Sequence, residues 1–564
     1  MNKQQFMQEA EGLLMAVYGK DGAEERTEQL VSLVQKWKEK DTPSSSPLSQ
    51  KNVYLITYGD SIQKEGISPL AALHQFLNTQ AGDEITDVHL LPMFPYTSDD
   101  GFSVVDYREI NPELGSWEDI SRLSDDFHLM FDFVANHISK SSSWFKGFLK
   151  DDPLYRHYFI PEDSGFNASS VVRPRTTPLF HSYNSTSGKK TAWTTFSEDQ
   201  VDVNFSHFPV LLEMTDILLM YADRGGTSIR LDAIGFLWKK SGTACIHLPE
   251  THAIIQLWRL ILDYLESRTQ LITETNVPHK ENISYLGDGE NEAHMVYQFP
   301  LPPLVLHAFT VHETAKLSDW ARSIEKVSDH ATYFNFLASH DGIGMRPTEG
   351  ILGDKDRQLL VDKVKENGGR VSYKSNPDGT ESPYELNINY MEALLNKGED
   401  EEEDVQIQKM LAAHSVLFSF IGVPAVYYHS LLGSGNDLQG VEQSCINRRI
   451  NREKLDYDAL INELETSDRR RGVFGGLKKM MRIRQAESAF SPFADQKVKD
   501  LGPEIFALER WNKETDEQIF FAVNTASQKV SIQLPTGGTD LWTGKTVERQ
   551  TELEPYQFIW VKPQ

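Results

Sequence analysis

From Val53 onward the chain alternates short apolar runs with longer stretches in which apolar residues recur every three to four positions. The first pattern predicts buried strands and the second predicts helices that bury one face. Val53-Tyr54-Leu55-Ile56-Thr57 reads as a strand followed by a helix from Pro69 to Gln80, and Val88-His89-Leu90-Leu91 as a strand followed by a helix capped at Ser116. His128-Leu129-Met130-Phe131-Asp132-Phe133 gives a third strand, and the clearest helix places Val210, Leu211, Met214, Ile217, Leu218 and Tyr221 on one face. Ser228 to Asp232, Leu271-Ile272-Thr273-Glu274, Met295-Val296-Tyr297, Phe334-Asn335-Phe336-Leu337 and Val423-Pro424-Ala425-Val426-Tyr427 bring the candidate strands to eight. Eight alternating units predict an α/β fold of the (β/α)8, or TIM, barrel type rather than an open doubly wound sheet.

Two connections exceed ordinary strand-to-helix loops, which run about two to six residues. They are the inserted segments 138–200 after the third strand and 342–403 after the seventh. Residues 1–50 read as a helical extension, with Leu30, Leu33, Val34 and Trp37 as its apolar face, closed by the Pro/Ser-rich Thr42 to Pro47. The barrel is expected over residues 51–487 and a C-terminal antiparallel β-sandwich over 488–564, where period-two runs such as Ile505 to Leu508, Ile519 to Val523 and Phe558 to Val561 take over. The acidic run Gly398 to Asp404 suits a helix start.

Composition narrows the class. With 39% hydrophobic and 10% aromatic residues and no long apolar run, the chain is expected to be globular and not membrane-spanning. The start, Met1-Asn2-Lys3-Gln4-Gln5-Phe6, lacks a secretory apolar core, so the expected location is the cytoplasm. Cys245 and Cys445 are too few for a disulfide framework and are read as reduced core thiols. A net charge of -26 disfavours nucleic acid and anionic membranes as partners, and an anionic ligand needs a local basic cluster.

Chemistry gathers where barrel strands end. Arg230 and Asp232, two residues apart on one strand, point to the same face at its C-terminal end. A carboxylate beside a guanidinium is expected to hold a low pKa and act as a nucleophile, with a structural ion pair as the alternative. Glu274, at the end of an apolar strand, is expected to be raised by burial and to serve as an acid. Asp341 follows at another strand end, with His137 and His340 beside it. Paired carboxyls of this kind suit glycoside cleavage with retention.

Phe131 to His137, Arg230-Leu231-Asp232-Ala233, Ile272-Thr273-Glu274 and Ser339-His340-Asp341 resemble, in order, the four motifs of the α-amylase superfamily, glycoside hydrolase family 13. The resemblance runs from about residue 50 to the end. It implies Asp232 as nucleophile, Glu274 as acid/base and Asp341 as transition-state stabiliser, supported by Asp132, His137, Arg230 and His340. Within that superfamily, Lys239 to Cys245, Leu301-Pro302-Pro303-Leu304, His340 to Gly344 and Ile450-Asn451-Arg452 are similar to the sucrose phosphorylase group. This likeness implies substrate contacts from Asp60, Tyr107, Phe196, Gln200, Phe236, Tyr384, Glu385 and Arg448, and a phosphate-binding loop carrying Arg173 and Arg175 opposite Tyr384. Arg173, Arg175, Lys239 and Lys240 together supply the basic cluster that the overall charge calls for.

Phe236, Tyr107 and Glu385 depart from the sucrose-acting members, and the segments 238–248 and 274–280 look most like glucosylglycerate phosphorylases, with His247 and Lys280 adding cationic character for a carboxylate-bearing leaving group. The expected reaction is transfer of glucose from a small α-glucoside, glucosylglycerate first, to inorganic phosphate. Sucrose, sucrose 6'-phosphate or glucosylglycerol phosphorylase, and α-glucosidase or transglucosidase, are the alternatives. Asn136 resembles a calcium ligand, but its companions are missing, so a buried hydrogen-bonding role is expected, with no metal and no organic cofactor. A monomer or homodimer is expected.

Overall fold

The computed structural model describes residues 1–38, 47–376, 380–396 and 401–563. Most of the Pro/Ser-rich stretch and Gly398 to Asp400 of the acidic run lie outside the described residues. Eight parallel strands close a barrel: β1 (Tyr54–Thr57), β2 (Asp87–Leu90), β3 (His128–Phe133), β4 (Gly226–Leu231), β5 (Gln270–Thr273), β6 (Met295–Tyr297), β7 (Thr332–Phe336) and β8 (Val423–Tyr427), each beside its neighbour in sequence and β8 beside β1. The strands are apolar because both faces are buried, one by the barrel interior and one by the helices. Alternation still sorts the side chains. Along β4, Ser228 and Arg230 point inward while Ile229 and Leu231 face the helical layer, and Tyr54 Oη lies 2.8 Å from Ser228 Oγ across the interior.

Both long connections fold back on their own ends. After β3, His137–Ser139 pairs antiparallel with Gln200–Asp202, which closes the insertion at its base, while Phe180–Ser185 and Gly188–Trp193 form a hairpin further out. After β7, Ile343–Gly344, Glu381–Asn387 and Arg370–Ser375 form a three-stranded sheet. No side chain fits at Gly342, where a Cβ would come within 2.5 Å of the Leu386 carbonyl oxygen, so the chain leaving Asp341 runs hard against that sheet. The helix Glu403–Ser419 begins with Glu403 and Asp404 in its first turn, as the acidic run predicted.

The N-terminal helices clamp the barrel from outside. In Lys3–Tyr18 the buried stripe is Phe6, Ala10, Leu14 and Val17, and Phe6 stacks on Tyr264 at 4.1 Å. In Ala23–Lys38 the buried side chains include Leu30, Val31 and Val34, with Leu33 and Trp37 only half-buried, so the contact face is rotated from the predicted one.

Period two divides the C-terminal sheet between two cores. Phe506, Leu508, Phe521, Val523 and Trp560 join the core continuous with the barrel, while Ile505, Ala507, Phe520, Ala522 and Ile559 pack on the small sheet made by Val530–Gln533 and Gln550–Leu553. The helix Glu403–Ser419 is covered on all sides from Lys409 to Ser419, and Trp560 Nε1 donates to Ser419 Oγ at 2.7 Å. Two buried arginines tie the layers: Arg484 donates to the carbonyls of Gly422 and Phe490, and Arg510 to those of Ser419 and Ser491. Burial pulls both guanidinium groups down to about 9.

The two cysteines part company. Cys245 is buried as expected, but Cys445 is exposed, in a left-handed turn that ends the helix Leu438–Ser444. Among the described residues no helix is long and apolar enough to cross a membrane.

Candidate active site

The C-terminal ends of β4, β5 and β7 converge on one chamber lined by Asp232, Glu274 and Asp341. The register places Asp132 beside Arg230 and Arg230 beside Ile272, so the motif strands stand side by side. Arg230 is the hub. Its guanidinium donates to Asp132 and, at 2.8 Å, to Asp232 Oδ1, and its Nη2 lies 3.8 Å from Glu274 Oε2. Beneath it, Asp132 also pairs with His89 at 2.7 Å. Burial works against ionisation of Asp132, but Arg230 and His89 together hold it below the usual carboxylate range.

The expectation that Arg230 would hold Asp232 low needs correction. Burial is the largest influence and pushes the Asp232 carboxyl up, Arg230 opposes it, and the nearby Glu274 and Asp132 charges push it further up. Glu274 is raised as well, first by burial, with Arg230 opposing and Asp341 adding to the rise. Two raised carboxyls beside one guanidinium favour sharing a proton. Arg230 lies 2.8 Å from Asp232 and 3.8 Å from Glu274, so its guanidinium favours the charged form of Asp232 more directly than that of Glu274. Glu274 Oε2 accepts the Ala233 N–H at 3.0 Å, and Ala233 sits at φ 49°, a left-handed residue that turns the chain sharply after the strand.

Asp341 is held ionised. Burial pushes it up, yet Arg448, whose Nη1 lies 2.6 Å from Asp341 Oδ1, and then His340 and Arg452 bring it well below the usual range. Arg448 also grips Glu385 through two bonds of 3.0 and 2.9 Å. His340 stacks on Phe102 at 4.8 Å, and the Phe102 carbonyl oxygen is shared by His137 Nε2 at 3.0 Å and Gln200 Nε2 at 3.2 Å. Phe196 packs edge-on against Phe236 at 5.5 Å, and Tyr384 lies beneath the Arg175 guanidinium at 5.8 Å.

Of the residues expected at the site, His137, Phe196, Gln200, His340, Tyr384, Glu385, Arg448 and Arg175 line the chamber with the three carboxyl groups, and Phe236 lines an adjoining one. Asp132 and Arg230 lie just beneath. Three others stand apart. Tyr107 is buried with its hydroxyl donating to the carbonyls of Val134 and His137, so it braces the loop after β3. Asp60 is held by Lys454 and does not line the chamber. Arg173 does not line it either, and burial pulls its guanidinium down. Among the described residues no carboxylate pairs with Arg175.

The remaining cations also move. Lys239, expected near phosphate, is buried and bonds Asp202 at 2.7 Å, Asn136 Oδ1 at 2.8 Å and the Phe236 carbonyl at 2.7 Å. Asn136 in turn donates to Asp202 at 3.0 Å. An ammonium therefore fills the oxygen cage around Asn136, which has the hydrogen-bonding role expected of it. Removing one partner of a buried pair costs about 3–5 kcal/mol. Lys239→Met should accordingly lower the thermal midpoint by several degrees, readable by calorimetry, and an unchanged midpoint would mean that Asp202 needs no cation. Lys240 pairs with Glu250 on the surface. His247 is brought down to about 4 by burial and Arg346, Lys280 is exposed, and neither lines the chamber.

Asp99, Phe102 and Asn276 also line the chamber and were not anticipated. Asp99 and Phe102 belong to the loop after β2, and Asn276 follows Glu274 by two positions, which was the available signal for it.

A closed barrel carrying Asp232, Glu274 and Asp341 on the ends of β4, β5 and β7 defines the α-amylase class. The Alpha-amylase family, "Alpha amylase, catalytic domain", matches residues 82–359. A sucrose 6F-phosphate phosphorylase from Thermoanaerobacter thermosaccharolyticum shares the fold with a TM-score of 0.74 and 24% identity, over 89% of this chain and 98% of that one. The glucosylglycerate phosphorylase of Spirochaeta thermophila is 43% identical over 98% of both chains, and that of Allomeiothermus silvanus is 45% identical over 91% of both. The chain belongs to the glucosylglycerate phosphorylase family.

Proposed function

We propose that the protein cleaves glucosylglycerate with inorganic phosphate by double displacement, giving α-glucose 1-phosphate and glycerate. Asp232 attacks the anomeric carbon, the bond to the glycerate oxygen breaks, and that oxygen takes the proton of Glu274. Glu274, now ionised, removes a proton from phosphate as its oxygen attacks the same carbon and releases Asp232. Two inversions return the α configuration. Asp341, kept anionic by Arg448, faces the positive charge that builds on the ring.

The observation that carries this reading is the shared guanidinium, 2.8 Å from Asp232 and 3.8 Å from Glu274, an asymmetry that supports the first as the anion and the second as the acid. Identities of 43% and 45% to glucosylglycerate phosphorylases support the substrate. Free thiols at Cys245 and Cys445 fit a cytoplasmic setting. Incubation with glucosylglycerate and excess phosphate should yield α-glucose 1-phosphate, followed by NMR of the anomeric proton. Glucose as the main product at saturating phosphate would make the protein a hydrolase instead.

Arg175, which lies over Tyr384 and among the described residues pairs with no carboxylate, is the residue we assign to phosphate. A charge-assisted bond is worth about 1.5–3 kcal/mol. Arg175→Ala should therefore raise KM for phosphate and shift the glucose to glucose 1-phosphate ratio by about ten- to a hundredfold. An unchanged ratio below phosphate saturation would move the phosphate site elsewhere.

A further inference from the structure

We infer that Arg346 selects the carboxylate of the leaving group. The inference rests on the reaction proposed above. The catalytic chamber adjoins a second one that shares Glu274, Asn276 and Tyr384 with it. A leaving group departs on the side of the acid that protonates it, and Glu274 opens onto this second chamber, which we assign to glycerate. Its other walls are largely apolar, with Phe236, Ile246 and Val277 among them, and among the described residues Arg346 is the one cation that lines it.

The Arg346 side chain is 19% exposed, and its nearest ionic partner is Glu281, 3.9 Å away and beyond hydrogen-bond reach. Among the described residues its guanidinium makes no hydrogen bond. Its nitrogens keep their access to water, so the fork stands open with its donors unspent, and a carboxylate would fit it through two charge-assisted bonds. Asn276 adds a buried group in need of a partner, since among the described residues its Oδ1 makes no hydrogen bond. The backbone is thinned to seat that amide: a Cβ at Gly344 would come within 2.9 Å of Asn276 Oδ1. Glycerate offers a planar carboxylate for the fork and hydroxyl groups for the amide.

The placement is rigid. Ile343–Gly344 pairs with Leu386 and Glu385, and the Met345 N–H donates to the Tyr384 carbonyl at 3.0 Å. Arg346 is thus locked to the segment that carries Tyr384 and follows closely on the one that carries Asp341. Phosphate has its own cation in the catalytic chamber, Arg175. Both other candidates for the carboxylate are gone, His247 being uncharged at neutral pH and Lys280 pointing to solvent.

The test runs the reaction in reverse, with α-glucose 1-phosphate as donor and D-glycerate or glycerol as acceptor. Arg346→Gln should lower kcat/KM for glycerate by about ten- to a hundredfold, chiefly through KM, and for glycerol by far less. The glycerate to glycerol ratio therefore collapses. Arg346→Lys should recover part of it, because a lysine keeps the charge without the fork. Equal losses on both acceptors would overturn the inference and make Arg346 a structural residue. A raised KM for phosphate with α-glucosyl fluoride as donor, and an unchanged ratio, would overturn it by moving Arg346 to the phosphate site. If the glutamine variant does not fold, the lysine variant carries the same ratio test, and an unchanged ratio there is again fatal. Wild-type preference for glycerol over glycerate would instead overturn the reaction reading on which the inference stands.

Discussion

Asp232→Asn is expected to lower turnover of glucosylglycerate by about four to six orders of magnitude, the usual consequence of deleting a nucleophile. The amide keeps the shape of the side chain and can still face Arg230, which retains Asp132 as its buried partner. Folding should therefore survive. Because burial already disfavours the charged form of Asp232, the neutral variant should unfold no earlier than wild type in a thermal scan. No glucosyl adduct should form with α-glucosyl fluoride, as judged by intact mass. Turnover above about one per cent of wild type would remove Asp232 from this role.

Glu274→Gln is expected to cost about 10²- to 10⁴-fold with glucosylglycerate, the range for loss of a general acid. Fluoride leaves without a proton, so α-glucosyl fluoride should still glucosylate Asp232 at a rate much closer to wild type. Burial holds the Glu274 proton to higher pH than an exposed glutamate would, so in wild type the alkaline limb of kcat/KM lies above the ordinary carboxylate range. That limb should vanish in the glutamine variant. Equal losses on fluoride and glycoside would show that Glu274 is not the acid.

Much of this was legible in the chain because barrel strands are short, apolar and evenly punctuated. Each of the eight fell within about two residues of its place, and Val423 to Tyr427 matched at both ends. The carboxyls at strand ends were legible for the same reason, since the barrel fixes where such ends meet. What escaped were properties set by distant partners. Lys239 reads as a free loop cation until Asp202, from the far end of the insertion, is brought against it. Asp232 reads as an ordinary ion-paired carboxylate until the chamber walls remove its water. Arg346 stands just after the Asp341 motif without a pattern of its own, and only the sheet that joins Met345 to Tyr384 puts it beside Glu274. Cys445 misled because residue type predicts burial on average and says nothing of the turn it sits in.

The covered helix Glu403–Ser419 has a consequence for biosynthesis. Trp560, which seals Ser419, follows it by 141 residues in the chain. At about 5–20 residues per second, a ribosome needs roughly seven to thirty seconds to bridge that interval. The helix Asp468–Ala486 is made earlier in that interval and covers part of this surface, so what stays open until the C-terminal strands emerge is the patch around Ser419 that Trp560 closes.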